Sequence, residues 1–185
     1  MTHEIFICVD VETAGPYPAR YAMLSIGACL VSDITNSFYA ELKPDRDDVQ
    51  PEALAISGLD LDMLHKTGDE PAAALGDFAR WIAGVVPADA RPVFVAFNAP
   101  FDWMFIHDYF MRYRGENPFG HSALDIKAYF MGQQGVDWAD TSMPHISRHF
   151  LEEVRLTHNA LRDAQDQAEI FRKILKLNPK FNLSE

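Results

Sequence analysis

Two carboxylates stand at the end of a strongly apolar segment near the start of the chain. Residues 4–11 are apolar on both alternating faces, which predicts a central strand, and Asp10 and Glu12 lie at its end. Side chains two residues apart on a strand point to the same face, roughly 7 Å apart. Because buried acids are costly without compensation, this pair predicts a divalent cation with oxygen ligands. The alternative is that the strand simply ends there and both acids are solvated.

A third acid follows a second buried segment. Residues 92–97 predict an internal strand, and Asn98 and Asp102 stand where a helix begins. An anion in the first turn of a helix is favoured by the helix dipole. Taken alone, helix capping by either residue is the simpler explanation.

A histidine and a fourth acid stand at the start of the last predicted helix, residues 159–176. His158 precedes this helix, and Asp163 flanks its stripe of small residues, Ala160, Ala164 and Ala168. Small side chains allow a helix to approach a sheet closely, which predicts that Asp163 lies beside the sheet. The alternatives are a surface-loop histidine and an acid placed favourably near a helix N-terminus.

The spacing of apolar residues predicts three antiparallel strands, followed by strands that alternate with helices. The strands are predicted at residues 4–11, 23–31, 37–43, 92–97 and 122–126. The helices are predicted at residues 51–57, 71–86, 101–113, 127–132, 142–153 and 159–176. This order predicts one α/β domain over residues 1–185. Its central mixed five-stranded sheet, with three antiparallel strands and then two parallel ones, is flanked by helices.

The composition is that of a globular protein, with 48% hydrophobic and 23% charged residues among 185. No apolar run approaches the roughly 18 residues of a membrane span, and no secretory signal is evident, so we expect a cytoplasmic protein. Cys8 and Cys29 lie in apolar runs and are predicted to be buried core residues. The net charge of −11 disfavours tight binding along long nucleic acid, which depends on Lys and Arg.

The three acidic segments together are more specific than any one of them. Their order and spacing resemble the three motifs of the DEDDh (DnaQ-like) 3′–5′ exonuclease family, which has the ribonuclease H-like fold. The matched residues are Asp10 and Glu12 in the first motif, Asn98, Phe101 and Asp102 in the second, and His158 and Asp163 in the third. The resemblance covers residues 4–175. The sequence departs from the family at Phe97, where many relatives carry His, and at the loop of residues 16–20.

The resemblance implies a site for two divalent metal ions, Mg²⁺ or Mn²⁺. By this likeness Asp10 bridges the ions, and Glu12 and Asp163 bind the ion on the side of the attacking water. Asp102 serves the other ion, and His158 is the general base. Histidine suits that role because its proton exchanges near neutral pH. The implied product is a 5′-mononucleotide.

Residues in or next to the motifs, together with an arginine and a tyrosine whose side chains can clamp or stack bases, are predicted to contact the 3′ end of a single-stranded nucleic acid. They are Thr13, Ala14, Arg20, Tyr21, Asn98 and Phe101. The acidic charge favours short RNA as substrate, with single-stranded DNA as the alternative. Two other functions stay open. One is a non-catalytic ribonuclease H-like module that binds nucleic acid or protein, and the other is a phosphoesterase for small nucleotides. A homodimer is possible, because relatives are often dimers.

Overall fold

The computed structural model describes residues 3–150 and 158–178, with the side chain of His149 excepted. A five-stranded mixed sheet occupies the centre, with the strand order β3-β2-β1-β4-β5. β1 pairs antiparallel with β2, as β2 does with β3, whereas β1–β4 and β4–β5 are parallel. This confirms the predicted sheet. The strands are β1 (His3–Thr13), β2 (Met23–Leu30), β3 (Ser37–Glu41), β4 (Ala90–Ala96) and β5 (Ala123–Asp125).

Helices flank the sheet, and most begin and end within two residues of their predicted bounds. They are α1 (Pro51–Ser57), α2 (Leu61–Thr67), α3 (Pro71–Val85), α4 (Ala99–Arg114), α5 (Ile126–Gln134), a short 3₁₀ helix (Trp138–Thr141), α6 (Met143–Phe150) and α7 (Ala160–Lys176). Residues 151–153 of the predicted helix 142–153 lie outside the described residues. None of the described helices is long and apolar enough to cross a membrane.

Two elements were not predicted, α2 and the 3₁₀ helix. Helix α2 has a good start, because the Asp60 carboxylate accepts hydrogen bonds from the backbone N–H groups of Asp62 and Met63. Leu64 is its one buried residue, however, so the helix has no apolar stripe for periodicity to reveal.

Strand β1 separates two hydrophobic cores. Ile7, Val9 and Val11 point to one face and pack in the core that includes α3 and α4. Cys8 points to the other face and packs in the core that includes α7. Because side chains alternate along a strand, Asp10 and Glu12 share the Cys8 face. The two acids at the end of β1 are therefore directed towards α7.

Helix α7 lies unusually close to β2, as its small residues predicted. A Cβ atom added at Gly27 would lie 2.1 Å from the carbonyl carbon of Ala160 and 2.2 Å from the backbone nitrogen of Leu161. Ala164 is fully buried, and its carbonyl oxygen lies 3.6 Å from the Cys29 thiol. Cys8 and Cys29 are free and buried, as predicted, and burial raises the pKa of Cys29 to about 12.

Candidate active site

The first pair of acids is held at the end of β1, where the pairing with β2 changes register between Glu12 and Thr13. The Asp10 carboxylate accepts a 2.7 Å hydrogen bond from the Nε2 amide of Gln167 on α7. The other end of the same amide, Oε1, accepts the backbone N–H of Phe97 at 2.8 Å. The side chain of Gln167 thus joins three of the segments that form the site.

Asp102 connects α4 to β1. Its side chain is only 4% exposed, and Oδ1 accepts the backbone N–H of Val11 at 3.1 Å. Asn98 has the left-handed backbone angle φ 65°, and its side chain forms no capping hydrogen bond to the described part of α4. Asn98 therefore marks a sharp turn between β4 and α4 rather than a side-chain cap, and Asp102 bonds across to β1.

Asp125, at the end of β5, accepts a hydrogen bond from the backbone at the start of α4. One carboxylate oxygen of Asp125 accepts the backbone N–H of Ala99, and the other accepts that of Ala128, both at 2.7 Å. The first turns of α4 and α5 are therefore fixed to one another. Asp125 has a structural role, and it is not part of the predicted set of metal ligands.

His158 and Asp163 are positioned by the tight turn into α7. His158 has the left-handed angle φ 52°, and Asn159 caps the helix through the backbone N–H of Arg162. Asp163 is 4% exposed, and its Oδ2 accepts the backbone N–H of His158 at 3.1 Å. The imidazole of His158 is exposed, so it stands at the mouth of the site while the carboxylate lies deeper.

The predicted metal ligands and the histidine surround one open cleft of about 220 Å³. Ligand atoms of Glu12, His158 and Asp163 all lie within 4.8 Å of one another. The residues that line the cleft are Asp10, Val11, Glu12, Phe97, Asn98, Phe101, Asp102, Met143, His158, Asp163 and Gln167. Four carboxylates from β1, α4 and α7 and one imidazole from the turn before α7 thus converge, although they are far apart in sequence.

The carboxylates raise one another's pKa values. Burial raises the pKa of Asp10 well above its ordinary value, and the charges of Asp102, Glu12 and Asp163 raise it further. Burial, with Asp163 as the second cause, raises the pKa of Glu12 to about 7. Burial also raises the pKa of Asp102. A divalent cation among these oxygens would offset both causes, and hard oxygen donors are those that Mg²⁺ and Mn²⁺ prefer.

Only two of the six predicted substrate contacts, Asn98 and Phe101, line the cleft. Of the others, Thr13 ends β1 and the remaining three follow it, where Ala14 and Tyr21 are buried in a separate small cluster. The Thr13 hydroxyl donates to the carbonyl of Gly15 at 2.8 Å, and Arg20 forms a 2.9 Å salt bridge with Asp48. A role for Thr13, Ala14, Arg20 and Tyr21 in substrate binding stays a prediction.

Sequence reasoning missed Gln167 and Met143, which also line the cleft. A signal for Gln167 was present, because it stands four residues after Asp163 and faces the same side of α7. A buried amide among the small residues of this helix is unusual. Met143, at the start of α6, offered no comparable signal.

Comparisons with known proteins agree on one family. The exonuclease family model RNase_T matches residues 7–171. The 3′–5′ DNA exonuclease Cap18 of Escherichia coli is 47% identical over 180 residues, which are 97% of this chain and 96% of that protein.

Solved structures support the fold. The nuclease domain of 3′hExo, a DEDDh family member bound to rAMP, superposes with a TM-score of 0.81 at 13% identity, over 99% of this chain and 97% of that one. E. coli exonuclease I in a complex with single-stranded DNA gives a TM-score of 0.74 at 20% identity, over 96% of this chain and 42% of that one. The chain belongs to the DEDDh 3′–5′ exonucleases, which are metal-dependent enzymes of the ribonuclease H-like fold.

Proposed function

We propose that this exonuclease removes nucleotides one at a time from the 3′ end of single-stranded DNA and releases 5′-mononucleotides. The E. coli relative at 47% identity, a 3′–5′ DNA exonuclease, supports DNA as the substrate. The expectation of short RNA rested on the acidic net charge. That charge limits the grip on a long strand, but it does not distinguish ribose from deoxyribose.

Asp10, Glu12, Asp102 and Asp163 would hold two divalent cations, Mg²⁺ or Mn²⁺. The observation that carries this proposal is the convergence of four carboxylates in one cleft, with raised pKa values at Asp10, Glu12 and Asp102. Such a cluster is costly without a cation. When bound, the two ions supply charge stabilisation for the attacking and leaving oxygens of an in-line displacement at phosphorus.

The protein's own groups position the water and the strand end. His158 lies at the mouth and would take the proton of the attacking water as general base. Its backbone N–H is hydrogen-bonded to Asp163, which fixes the turn that carries the imidazole. Gln167 orients Asp10 by its 2.7 Å hydrogen bond. Phe101 offers an apolar wall of the cleft for the terminal nucleotide. The leaving group is the 3′-oxygen of the penultimate nucleotide.

The two competing functions have different signatures. A non-catalytic module is expected to have lost a metal ligand, whereas this chain keeps all four carboxylates and belongs to an exonuclease family. A phosphoesterase for small nucleotides would use the same cleft without shortening a longer strand.

The test uses 3′- and 5′-labelled oligomers of one sequence, as DNA and as RNA, with Mg²⁺ or Mn²⁺. We expect stepwise shortening of single-stranded DNA from the 3′ end, with mononucleotides as the product. Asp10→Asn should lower kcat by at least about a hundredfold. Asp89→Asn, at an exposed acid in the turn before β4, is the matched control and should leave kcat unchanged.

Two results would contradict parts of the proposal. A wild-type protein that cleaves only dinucleotides or nucleotide esters would be a phosphoesterase of small substrates. A higher kcat/KM on RNA than on DNA of the same sequence would overturn the DNA assignment. It would support short RNA as the substrate, as expected from the net charge.

A further inference from the structure

Phe97, Lys127 and Trp138 lie side by side on the surface at the edge of the cleft. The Nζ atom of Lys127 stands 4.3 Å from the centre of the Trp138 ring and 6.0 Å from that of the Phe97 ring. Trp138 is 53% exposed, whereas Phe97 lines the cleft itself. The three side chains therefore form a continuous path from the catalytic cleft to an open indole ring.

Contacts between neighbouring elements fix the position of this path relative to the catalytic residues. Phe97 directly precedes the turn into α4, and Lys127 lies in the first turn of α5. The first turns of these two helices are fixed to each other by the Asp125 carboxylate. On the far side, the 3₁₀ helix that begins with Trp138 leads into α6, whose first residue, Met143, also lines the cleft.

Beyond their contact with each other, Lys127 and Trp138 have no evident structural role in the part of the chain that the structure describes. A half-exposed indole leaves much of its apolar surface in water, which is unfavourable unless something covers it. Lys127 forms no salt bridge within the part of the chain that the structure describes. Arg20, the one cation predicted from the sequence to contact the substrate, is already paired with Asp48. In a protein of net charge −11, an ammonium group that has no carboxylate partner among the described residues attracts phosphate.

An indole ring next to an ammonium group fits one nucleotide of a single strand. Bases of any sequence stack on an exposed aromatic ring, and a neighbouring cation pairs with the phosphate. The 3′-terminal nucleotide must occupy the catalytic cleft. Any nucleotide held outside the cleft therefore lies on the 5′ side of the bond to be cleaved.

We propose that Trp138 and Lys127 form a subsite that binds a nucleotide of the single-stranded substrate upstream of the cleaved bond. Trp138 stacks on the base, and Lys127 binds the adjoining phosphate. The inference rests on the proposed exonuclease function and adds how the strand is held. An acidic protein would thus bind its substrate strand through these two side chains rather than through a broad basic surface.

The test measures kcat and KM of the wild type and of Trp138→Ala on single-stranded DNA from two to ten nucleotides long. We expect Trp138→Ala to raise KM about tenfold on the longer strands, within the range of stacking effects. Its kcat and its activity on the dinucleotide should stay near those of the wild type. Trp138→Phe keeps an aromatic ring and should restore much of the loss. Met111→Ala, at an exposed residue of α4, is the control.

A second measurement locates the base by single abasic positions. In the wild type, one upstream abasic position should raise KM as much as Trp138→Ala does, and the variant should be insensitive to that position. Lys127→Gln should raise KM and make its salt dependence shallower by about one released counterion. Lys176→Gln, at the far end of α7, is the control for charge.

Several outcomes would overturn the inference. Equal KM values of the wild type and Trp138→Ala at every length would exclude the subsite, even with full exonuclease activity. A change of oligomeric state in Trp138→Ala without a change in KM would assign the indole to a protein contact instead. A wild type that is inactive on every strand would refute the proposed function itself, so the two failures are distinguishable.

Discussion

At the scale of single residues, the least expected feature is the amide of Gln167. It donates to Asp10 and accepts the backbone N–H of Phe97, so one side chain fixes a proposed metal ligand against the wall of the cleft. Groups that orient metal ligands in this way often change metal affinity or activity by 10- to 100-fold when they are removed. Gln167 is therefore the residue outside the motifs with the clearest expected effect.

We expect Gln167→Met to lower kcat by about 10- to 100-fold and to raise the metal concentration needed for half-maximal activity. The thioether has a similar length, but it cannot donate to Asp10 and leaves the Phe97 N–H unpaired. Metal titrations of the exonuclease rate measure both effects. Gln165→Met, in the same helix but bonded to the carbonyl of Ile34, should behave like the wild type. Identical metal titrations of Gln167→Met and the wild type would refute the role.

At the scale of elements, the site depends on how closely α7 approaches the sheet. Gly27 leaves no room for a side chain between β2 and the first turn of α7. Asp163 lies in that first turn, and His158 stands two residues before the helix begins. The position of two proposed catalytic groups is thus determined by the absence of a single methyl group on a neighbouring strand.

Gly27→Ala should therefore displace the start of α7, lower the melting temperature and lower kcat together. Overpacking of this kind typically costs about 1–3 kcal/mol of stability. Thermal unfolding and kcat on single-stranded DNA measure the two effects. The control is Gly84→Ala on α3, where an added Cβ meets nothing within 4 Å and should stabilise the helix slightly. An unchanged kcat in a folded Gly27→Ala protein would show that α7 tolerates the shift.

How far the sequence predicts this protein follows from the same elements. Apolar periodicity was sufficient for α3 and α7, because each helix buries one face, whereas the central strands β1 and β4 were predicted from continuous apolar runs. It failed for α2, which buries only Leu64. The five proposed catalytic residues were predicted because motif order preserves them. Gln167 was not, because its value appears only when Asp10 lies across from it. Arg20 was predicted to contact the substrate, but the structure pairs it with Asp48, which is distant in sequence and could not be recognised as its partner.

At the scale of the whole molecule, the carboxylate cluster links stability to pH and metal. The raised pKa values of Asp10, Glu12 and Asp102 mean that the folded state binds more protons than the unfolded state. Stability falls with rising pH wherever that is so. For Glu12 the window runs from its ordinary pKa, about 4.3, to about 7. Ions that bind the ionised carboxylates of the folded state oppose this loss.

We therefore expect the metal-free protein to melt at a lower temperature at pH 8 than at pH 5.5, and Mg²⁺ or Mn²⁺ to raise the melting temperature more at pH 8. Asp102→Asn should raise the melting temperature in EDTA at pH 8 and reduce the effect of the metal, because it removes a buried charge. Scanning calorimetry at the two pH values measures all three. A metal-induced shift of equal size at both values would contradict the linkage.

The contribution of α7 has a consequence for the protein during its own synthesis. β1 and α4 leave the ribosome before α7, and His158 and Asp163 follow only at the start of this last described helix. A nascent chain that lacks this helix has an incomplete set of ligands and cannot cut. Because domains fold in the order of synthesis only as far as their contacts allow, the enzyme becomes active after almost all of this fold has been translated.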